Sequence, residues 1–289
     1  MALSRPLLPV ISIALLTSSS LYAKPTKIKK LARQSQIANA NYIEENFIQD
    51  NDGCSVEPTD TGVKTIALQV GNTRRTMIRV VSPSLQNTRA HALVIGFHGF
   101  GLDGTSPRMH HKWEIVEELG KDDAVFVYPN ALGGSWNPYL GSPDLALFDA
   151  IVKSISEKYC IDKRRVFVHG FSNGGFFVNG LVAARPNDIR GVISVAGGGN
   201  GSRKPAIVIH GQSDSNVGYY PSAPNLVNSY AAANGCKMPV NFNAMRVDAC
   251  QQLEGCPAEY PVWFCPWRGN HHWPHFTLPL VWQFISSQK

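Results

Sequence analysis

The stretch that decides the fold is RVFVHGFSNGGFFVNGLVAA, residues 165–184. A strand-like run ends in Gly170-Phe171-Ser172-Asn173-Gly174 and passes directly into an apolar helical segment. A serine held in such a strand, sharp turn and helix is lifted into a cleft as a nucleophile, and the flanking glycines leave the space that the turn needs. Taken alone, the pattern also fits an ordinary glycine-rich turn, so the rest of the chain has to supply the partners of Ser172.

Outward from this stretch, apolar β-branched runs bounded by turn residues alternate with helix-length segments. The alternation predicts an α/β fold with a mostly parallel central sheet and helices on both faces. The first two runs are so close in sequence that they predict an antiparallel hairpin at the sheet edge. The predicted strands are Thr65–Val70, Met77–Val81, Ala92–Phe97, Ala124–Tyr128, Val166–His169, Val192–Val195, Ala206–His210 and Pro261–Phe264. The predicted helices are Met109–Leu119, Asp144–Tyr159, Gly175–Ala184, Asn225–Ala233 and Thr277–Ser287.

An acid partner for the serine is available downstream, after the buried-looking run that ends at Gly211. Asp214 follows this run directly, and active sites of α/β proteins gather at the carboxyl ends of strands. A turn aspartate that caps its own backbone is the alternative. The order Ser, acid, His favours the catalytic interpretation, with Asp248 as the weaker substitute.

The base must come from the C-terminal segment, where His271, His272 and His275 precede the last predicted helix. Spacing alone does not decide between His271 and His272. A zinc site is disfavoured because Pro274 interrupts any helical spacing and no acidic or cysteine ligand stands nearby in sequence. We therefore expect no bound metal and no organic cofactor.

Acyl transfer also requires hydrogen-bond donors for the developing oxyanion. After the third predicted strand comes His98-Gly99-Phe100-Gly101, which is similar to loops whose backbone N–H completes an oxyanion hole. The predicted donors are the N–H groups of Phe100 and Asn173. Purely structural roles are expected for the histidines at 98, 110, 111, 169 and 210.

With these residues identified, the chain resembles secreted feruloyl esterases and the related poly(3-hydroxybutyrate) depolymerase-like esterases, from about Cys54 to Phe284. The resemblance implies the α/β-hydrolase fold, and it selects His271 as the base because His271 is followed by x-W-P. The chain departs from the pattern of this family at two places. Asn270 replaces a usual glycine before the base. The usual acidic pair after S-W-N is reduced to Pro143-Asp144, so Asp144 has no assigned role. The matching segments are H-G-F-G at 98–101, S-W-N at 135–137, the run from Cys160 to Gly175, H-G-x-x-D at 210–214, N-G-C at 234–236, and G-C-P-A-E-Y-P-V-W-F-C followed by G-N-H-x-W-P.

The resemblance further implies the disulfides Cys236–Cys250 and Cys256–Cys265, which would leave Cys54 to pair with Cys160. Trp136 and Trp273 have two interpretations of equal weight. They either wall an aromatic or sugar-linked acyl group or pack beneath the active-site loops.

The N-terminus has the pattern of a secretory signal: a basic residue, a short apolar run broken by Pro9, and small residues up to Ala23. We expect a signal peptide at 1–23, a partly disordered leader at 24–50 and one catalytic domain at 51–289. The six cysteines behind a signal predict disulfides and a secreted or periplasmic location. The formal net charge of +6 is a mild excess that indicates no nucleic-acid partner, and no stable membrane association is expected once the signal is removed.

These features predict an exported serine carboxylic ester hydrolase that acts through an acyl-enzyme on a small or oligomeric ester. The feruloyl-esterase-like activity is favoured, and a short-chain polyhydroxyalkanoate depolymerase is the alternative. A non-catalytic, hydrolase-like binding module and a peptidase remain open. The acyl group, the leaving alcohol and the oligomeric state are not predicted.

Overall fold

The computed structural model describes residues 60–86 and 88–288 of the chain. Several predictions concern residues outside this part of the chain. They are the signal at 1–23, the leader at 24–50, the start of the domain at 51 and the cysteine at 54. The predicted pair Cys54–Cys160 is therefore not tested.

A nine-stranded sheet forms the centre of the described part, in the order β1-β2-β4-β3-β5-β6-β7-β9-β8. From β4 to β9 every neighbouring pair is parallel, whereas the pairs at the two edges are antiparallel. This confirms both the mostly parallel sheet and the edge hairpin, in which β1 pairs with β2. The strands are β1 (Gly62–Val70), β2 (Thr73–Val81), β3 (His91–Phe97), β4 (Ala124–Pro129), β5 (Ile161–Phe171), β6 (Gly191–Val195), β7 (Ala206–Gly211), β8 (Gln251–Gln252) and β9 (Val262–Trp267).

Helices cover both faces because the apolar central strands present side chains to each face in turn. In β3, Leu93 and Ile95 join one core layer and Val94 joins the other. Helices α3, α4 and α5 pack on the first layer, and α2 and α6 pack on the second. The helices are α1 (Ser106–His111), α2 (Glu114–Leu119), α3 (Pro143–Ser156), α4 (Asn173–Ala184), α5 (Tyr219–Asn234) and α6 (Leu278–Ser287), with 3-10 turns at Leu132–Gly134, Phe242–Ala244 and His275–Thr277.

The predicted single helix Met109–Leu119 is wrong, because the chain breaks between α1 and α2. Lys112 takes a left-handed conformation with φ of 55°, which ends α1. Trp113 is then fully buried and stacks on the ring of His169 at 3.5 Å between ring centroids. The free energy gained by burying this large ring offsets the cost of interrupting the helix. The periodicity of the local sequence does not reveal this burial.

The two predicted C-terminal disulfides are also wrong in their pairing. The bridges are Cys236–Cys256 and Cys250–Cys265. β8 pairs antiparallel with β9, and the match of Gln251 with Phe264 puts Cys250 directly opposite Cys265. The short strand β8 was not predicted, so the register of β8 against β9, which determines this pairing, could not be predicted either.

Candidate active site

Ser172 lies at the sharp turn between β5 and α4. Its φ and ψ of 55° and −117° belong to a strained region that a non-glycine residue rarely adopts. The turn is held on both sides, because the Ser172 N–H donates to the carbonyl of Val195 at 2.9 Å and the Ser172 carbonyl accepts from the Phe176 N–H at 3.0 Å. The central stretch of the sequence therefore folds as predicted, with the serine at the carboxyl edge of the sheet.

Two glycines make this turn sterically possible. A Cβ on Gly170 would lie 2.1 Å from the Gly174 carbonyl oxygen, and a Cβ on Gly174 would lie 2.1 Å from the carbonyl oxygen of Phe97. Any side chain at either position would collide with backbone atoms. The glycines thus allow α4 to start directly against β3 and β5.

Asp214 and His271 meet beyond the carboxyl ends of β7 and β9. Oδ2 of Asp214 lies 2.7 Å from Nδ1 of His271, and the Asp214 side chain is fully buried while that of His271 is 15% exposed. The other carboxylate oxygen, Oδ1, accepts hydrogen bonds from the N–H groups of Asn216 and Val217 at 2.9 and 2.8 Å. The carboxylate therefore both caps its own loop and contacts the imidazole.

The weaker candidates lie elsewhere. Asp248 accepts a hydrogen bond from the Arg268 N–H and pairs with the Arg268 side chain. His272 and His275 are exposed. Among the described histidines, His271 makes the 2.7 Å contact with Asp214, whereas Nε2 of His210 is 3.5 Å from the same oxygen.

Phe171 connects the turn to the imidazole. Its ring packs against His271 with 4.8 Å between ring centroids, and its backbone leads directly into Ser172. On the other side, the same ring contacts His111 at 4.5 Å. The residue before the serine thus supports the imidazole of His271 and brings the two segments to the same part of the sheet edge.

The two predicted oxyanion donors occupy neighbouring loops. Neither the Phe100 N–H nor the Asn173 N–H donates to another described residue. The loop after β3 is fixed by a hydrogen bond from Gly101 N–H to the Gly134 carbonyl at 2.8 Å. The side chain of Asn173 accepts from the Trp136 N–H at 2.8 Å, which ties the loop after β4 to the start of α4.

Trp136 and Trp273 lie in the core, with only 4% and 3% of their surface exposed. The indole of Trp136 donates to the His98 carbonyl at 3.0 Å, and that of Trp273 donates to Thr277 Oγ1 at 3.1 Å. Of the two interpretations, packing beneath the loops describes both rings, and the substrate-wall interpretation is not supported. The same loops expose apolar side chains that were not predicted from the sequence, at Phe100, Tyr139 and Leu140.

Three histidines have the structural roles expected of them. His98 donates from Nδ1 to the Gly99 carbonyl and accepts from the Ala131 N–H at Nε2. His210 donates to the Val217 carbonyl at 2.8 Å, and His169 stacks on Trp113. Burial lowers the pKa of each ring, that of His169 most strongly. They support the loops as neutral groups.

The described part of the chain contains neither a candidate metal site nor a candidate membrane-spanning helix. No group of three or more His, Cys, Asp or Glu side chains there could hold a metal ion. Within residues 60–86 and 88–288, no helix has the length and apolar character needed to cross a bilayer.

The chain is similar to several curated proteins and to solved structures. A probable feruloyl esterase C of Aspergillus oryzae is 30% identical over 236 residues, covering 77% of this chain and 83% of the relative. Feruloyl esterase C of Emericella nidulans is 29% identical over 239 residues, covering 76% and 82%. The structure of an acetyl xylan esterase from Aspergillus awamori superposes with a TM-score of 0.62 at 15% identity, covering 78% of this chain and 99% of that one. No protein-family model matches.

The fold and these relatives define a carboxylic ester hydrolase of the α/β-hydrolase class. Within that class, the chain belongs to the feruloyl esterase family.

Proposed function

We propose that the protein is an exported serine esterase that hydrolyses hydroxycinnamate-type esters through a Ser172–His271–Asp214 triad. The observation that carries this proposal is the hydrogen bond between Asp214 and His271, at the same edge of the sheet as the strained strand-to-helix turn of Ser172. A nucleophile, a base and a group that orients the base are the three parts of this mechanism, and they lie in the chain order typical of the fold.

In the first half of the reaction, Oγ of Ser172 attacks the ester carbonyl carbon while Nε2 of His271 takes the hydroxyl proton. Asp214 accepts a hydrogen bond from the Nδ1–H of His271, which keeps Nε2 unprotonated and able to act as base and stabilises the imidazolium once it forms. The tetrahedral intermediate collapses when His271 gives the proton to the leaving alkoxide. The products of this half are the alcohol and an acyl-Ser172 ester.

In the second half, water replaces the alcohol. His271 removes a proton from water as it attacks the acyl carbon, and Ser172 leaves with that proton. In both halves, negative charge develops on the carbonyl oxygen. The free N–H groups of Phe100 and Asn173 are oriented by rigid backbone and can donate to this oxygen without reorganisation.

The substrate class comes from the relatives. The curated proteins of similar sequence are feruloyl esterases by name, and coverage of more than four-fifths of their length supports a common activity. The ester of a hydroxycinnamic acid is therefore the first substrate to test.

Export is part of the same proposal. A basic residue, an apolar run and small residues at 1–23 match a signal peptide, and two disulfides lie among the described residues. Disulfides persist in oxidising compartments. Both features support work outside the cytoplasm.

The test is hydrolysis of methyl ferulate, a 3-hydroxybutyrate oligomer and para-nitrophenyl butyrate by the purified mature protein, with Ser172→Ala as the control. We expect the highest kcat/KM on methyl ferulate, and loss of activity on all three substrates in the variant. Preference for the hydroxybutyrate oligomer would replace the proposed substrate with a polyester. Unchanged turnover by Ser172→Ala, with an unaltered circular dichroism spectrum, would exclude the triad.

A further inference from the structure

Four large apolar side chains project into solvent from the loops and helix turn around Ser172. The exposed fractions are 73% for Phe100, 77% for Tyr139, 83% for Leu140 and 40% for Phe176. They follow β3, β4 and β5, so all belong to the carboxyl edge of the sheet. Large apolar side chains exposed along one edge of a sheet are typical of a binding surface. We call these four residues the apolar rim.

The tip of the rim is held in a fixed conformation. Oδ1 of Asn137 accepts from the Tyr139 N–H at 3.0 Å, and the backbone carbonyl of Asn137 accepts from the Ser142 hydroxyl at 2.6 Å. These bonds close the turn that carries Tyr139 and Leu140. A loop with its ends fixed presents the two apolar side chains with a smaller entropic cost of ordering the backbone on binding.

The anchor of the tip is a buried ion pair. Asp144 accepts from the Asn137 N–H at 2.9 Å and from Arg75 at 2.8 Å, and the side chains of Arg75 and Asp144 are only 1% and 5% exposed. Burial of two charges is expensive unless their geometry is good. Here the buried pair holds a surface loop whose tip residues, Tyr139 and Leu140, are themselves exposed.

The rim is continuous with the serine. A Cβ on Gly180 would lie 2.4 Å from Cβ of Pro138, so the residue before Tyr139 packs directly on α4. Phe176 lies one turn earlier than Gly180 on the same face of that helix, and its N–H binds the Ser172 carbonyl. The tip therefore packs on the helix that Ser172 begins, while the ring of Phe176 lies beside Gly198 in the loop after β6.

The strand order determines which half of an ester reaches this surface. His271 must lie beside the leaving oxygen because it protonates the alcohol. Its loop and that of Asp214 follow β9 and β7, on one side of β5, whereas Phe100 and Tyr139 follow β3 and β4, on the other side. The acyl half of the ester extends away from His271, and this direction leads to the apolar rim.

The charge of the surface restricts the acyl group. Residues 130–142 and 172–184 contain no Asp, Glu, Lys or Arg. An anionic acyl chain would find no counter-ion in these two segments, and the loop that carries Phe100 adds the exposed carboxylate of Asp103. Three aromatic rings suit a flat, uncharged, conjugated group, because aromatic pairs gain from offset or edge contacts beyond their buried area.

We propose that the apolar rim is the acyl subsite and that Tyr139 and Leu140 select an uncharged aromatic acyl group over a short alkyl one. This inference rests on the proposed esterase function and assigns its selectivity to a loop that the sequence analysis did not single out. Tyr139 and Leu140 determine specificity and take no part in proton transfer.

The experiment compares para-nitrophenyl ferulate with para-nitrophenyl acetate, which share a leaving group and differ only in the acyl half. Tyr139→Ala and Leu140→Ala are each expected to lower kcat/KM on the ferulate ester by about 2- to 10-fold, the range of a lost aromatic or apolar contact. Activity on the acetate ester should fall less, so the ratio of the two kcat/KM values should decrease. Tyr139→Phe should retain the wild-type ratio of the two substrates.

Met238→Ala is the matched control, because Met238 is 44% exposed but follows the far end of α5, at the opposite edge of the sheet. Equal losses on both esters in the Tyr139 and Leu140 variants would overturn the proposal, as would a loss that follows the alcohol when methyl and para-nitrophenyl ferulate are compared. Wild-type enzyme that cleaves acetate and ferulate esters equally well would also overturn it while leaving the esterase function intact. Hydrolysis of neither ester by the wild type would instead contradict the proposed function itself.

Discussion

At the scale of single residues, Asp214 shows how one carboxylate serves two purposes. Its position after β7 in a polar turn fits either a local cap or the acid of a catalytic triad. The structure contains both contacts, because Oδ1 accepts from the Asn216 and Val217 N–H groups while Oδ2 faces His271. The local cap fixes the carboxylate, and that rigidity helps to orient the imidazole.

Asp214→Asn should therefore leave the fold intact and reduce kcat by about 10⁴-fold. The amide can still cap the turn through its oxygen, but an NH₂ group facing Nδ1 favours the tautomer that has its proton on Nε2. The measurement is steady-state hydrolysis of methyl ferulate together with a thermal unfolding curve.

Asp248→Asn is the control for this substitution, since Asp248 accepts from the Arg268 N–H on the neighbouring loop. It should retain kcat. A larger loss in the Asp248 variant than in the Asp214 variant would transfer the acid role to Asp248.

At the scale of secondary-structure elements, the loop between β4 and α3 depends on a partner from the edge hairpin. Arg75 on β2 reaches Asp144 at the start of α3, 69 residues later. The same guanidinium donates to the Asn130 carbonyl at 2.9 Å. One buried arginine thus holds both ends of the loop that carries Trp136 and the exposed Tyr139.

Arg75→Leu should lower the free energy of unfolding by about 3–5 kcal/mol, because it leaves the Asp144 carboxylate buried and unpaired. Arg74→Leu, at the exposed neighbouring position, should change stability little. Urea unfolding of both variants measures the difference, and the double variant Arg75→Leu/Asp144→Leu should recover part of the loss. No recovery in the double variant would show that the cost comes from packing and not from the unpaired charge.

The two disulfides fix different parts of the C-terminal region. Cys250–Cys265 joins the segment before β8 to β9, the strand that leads to His271, and closes a separation of 15 residues. Replacing both cysteines by serine should destabilise the protein by roughly 3 kcal/mol and reduce activity.

Cys236→Ser/Cys256→Ser should lower Tm with a smaller effect on kcat, because that bridge lies beyond the end of α5. Peptide mapping of the unreduced protein checks the pairing, and a Cys236–Cys250 peptide would contradict it.

At the scale of the whole molecule, five buried histidines make stability depend on pH. Burial lowers the pKa of each ring, and for His111 neighbouring histidines help to lower it to about 3. In the unfolded chain, the same groups take up protons near pH 6.5. The five are His91, His98, His111, His169 and His210.

The sign of the effect follows from proton binding. Below about pH 6.5 the unfolded state binds more of these protons than the folded state does, so the free energy of unfolding should decrease as the pH falls. The contribution of the neutral rings is complete above pH 6.5, and that of His111 is lost progressively down to about pH 3. Tm measured between pH 4 and 8 should show a steady decline on the acid side.

His111→Phe should weaken this decline, because the phenyl ring has no proton to bind in either state. His110→Gln, at the exposed neighbouring position, should change the slope less, because His110 acts on the pKa of His111 only through its charge, whereas burial is the larger cause. An identical slope in wild type and His111→Phe would remove His111 from the explanation.

The sequence by itself determined the parallel sheet, the edge hairpin and the turn at Ser172, since these depend on local periodicity and on glycines that a turn requires. Only the tertiary structure decided the contacts that join distant segments: Arg75 with Asp144, the ring of Trp113 over His169, and the disulfide partners. These depend on register, on side-chain direction and on burial, which become defined only when the whole core packs. The break at Lys112 and the burial of Trp136 and Trp273 belong to this second group, because the packing of large rings in the core overrides what their neighbours in sequence favour.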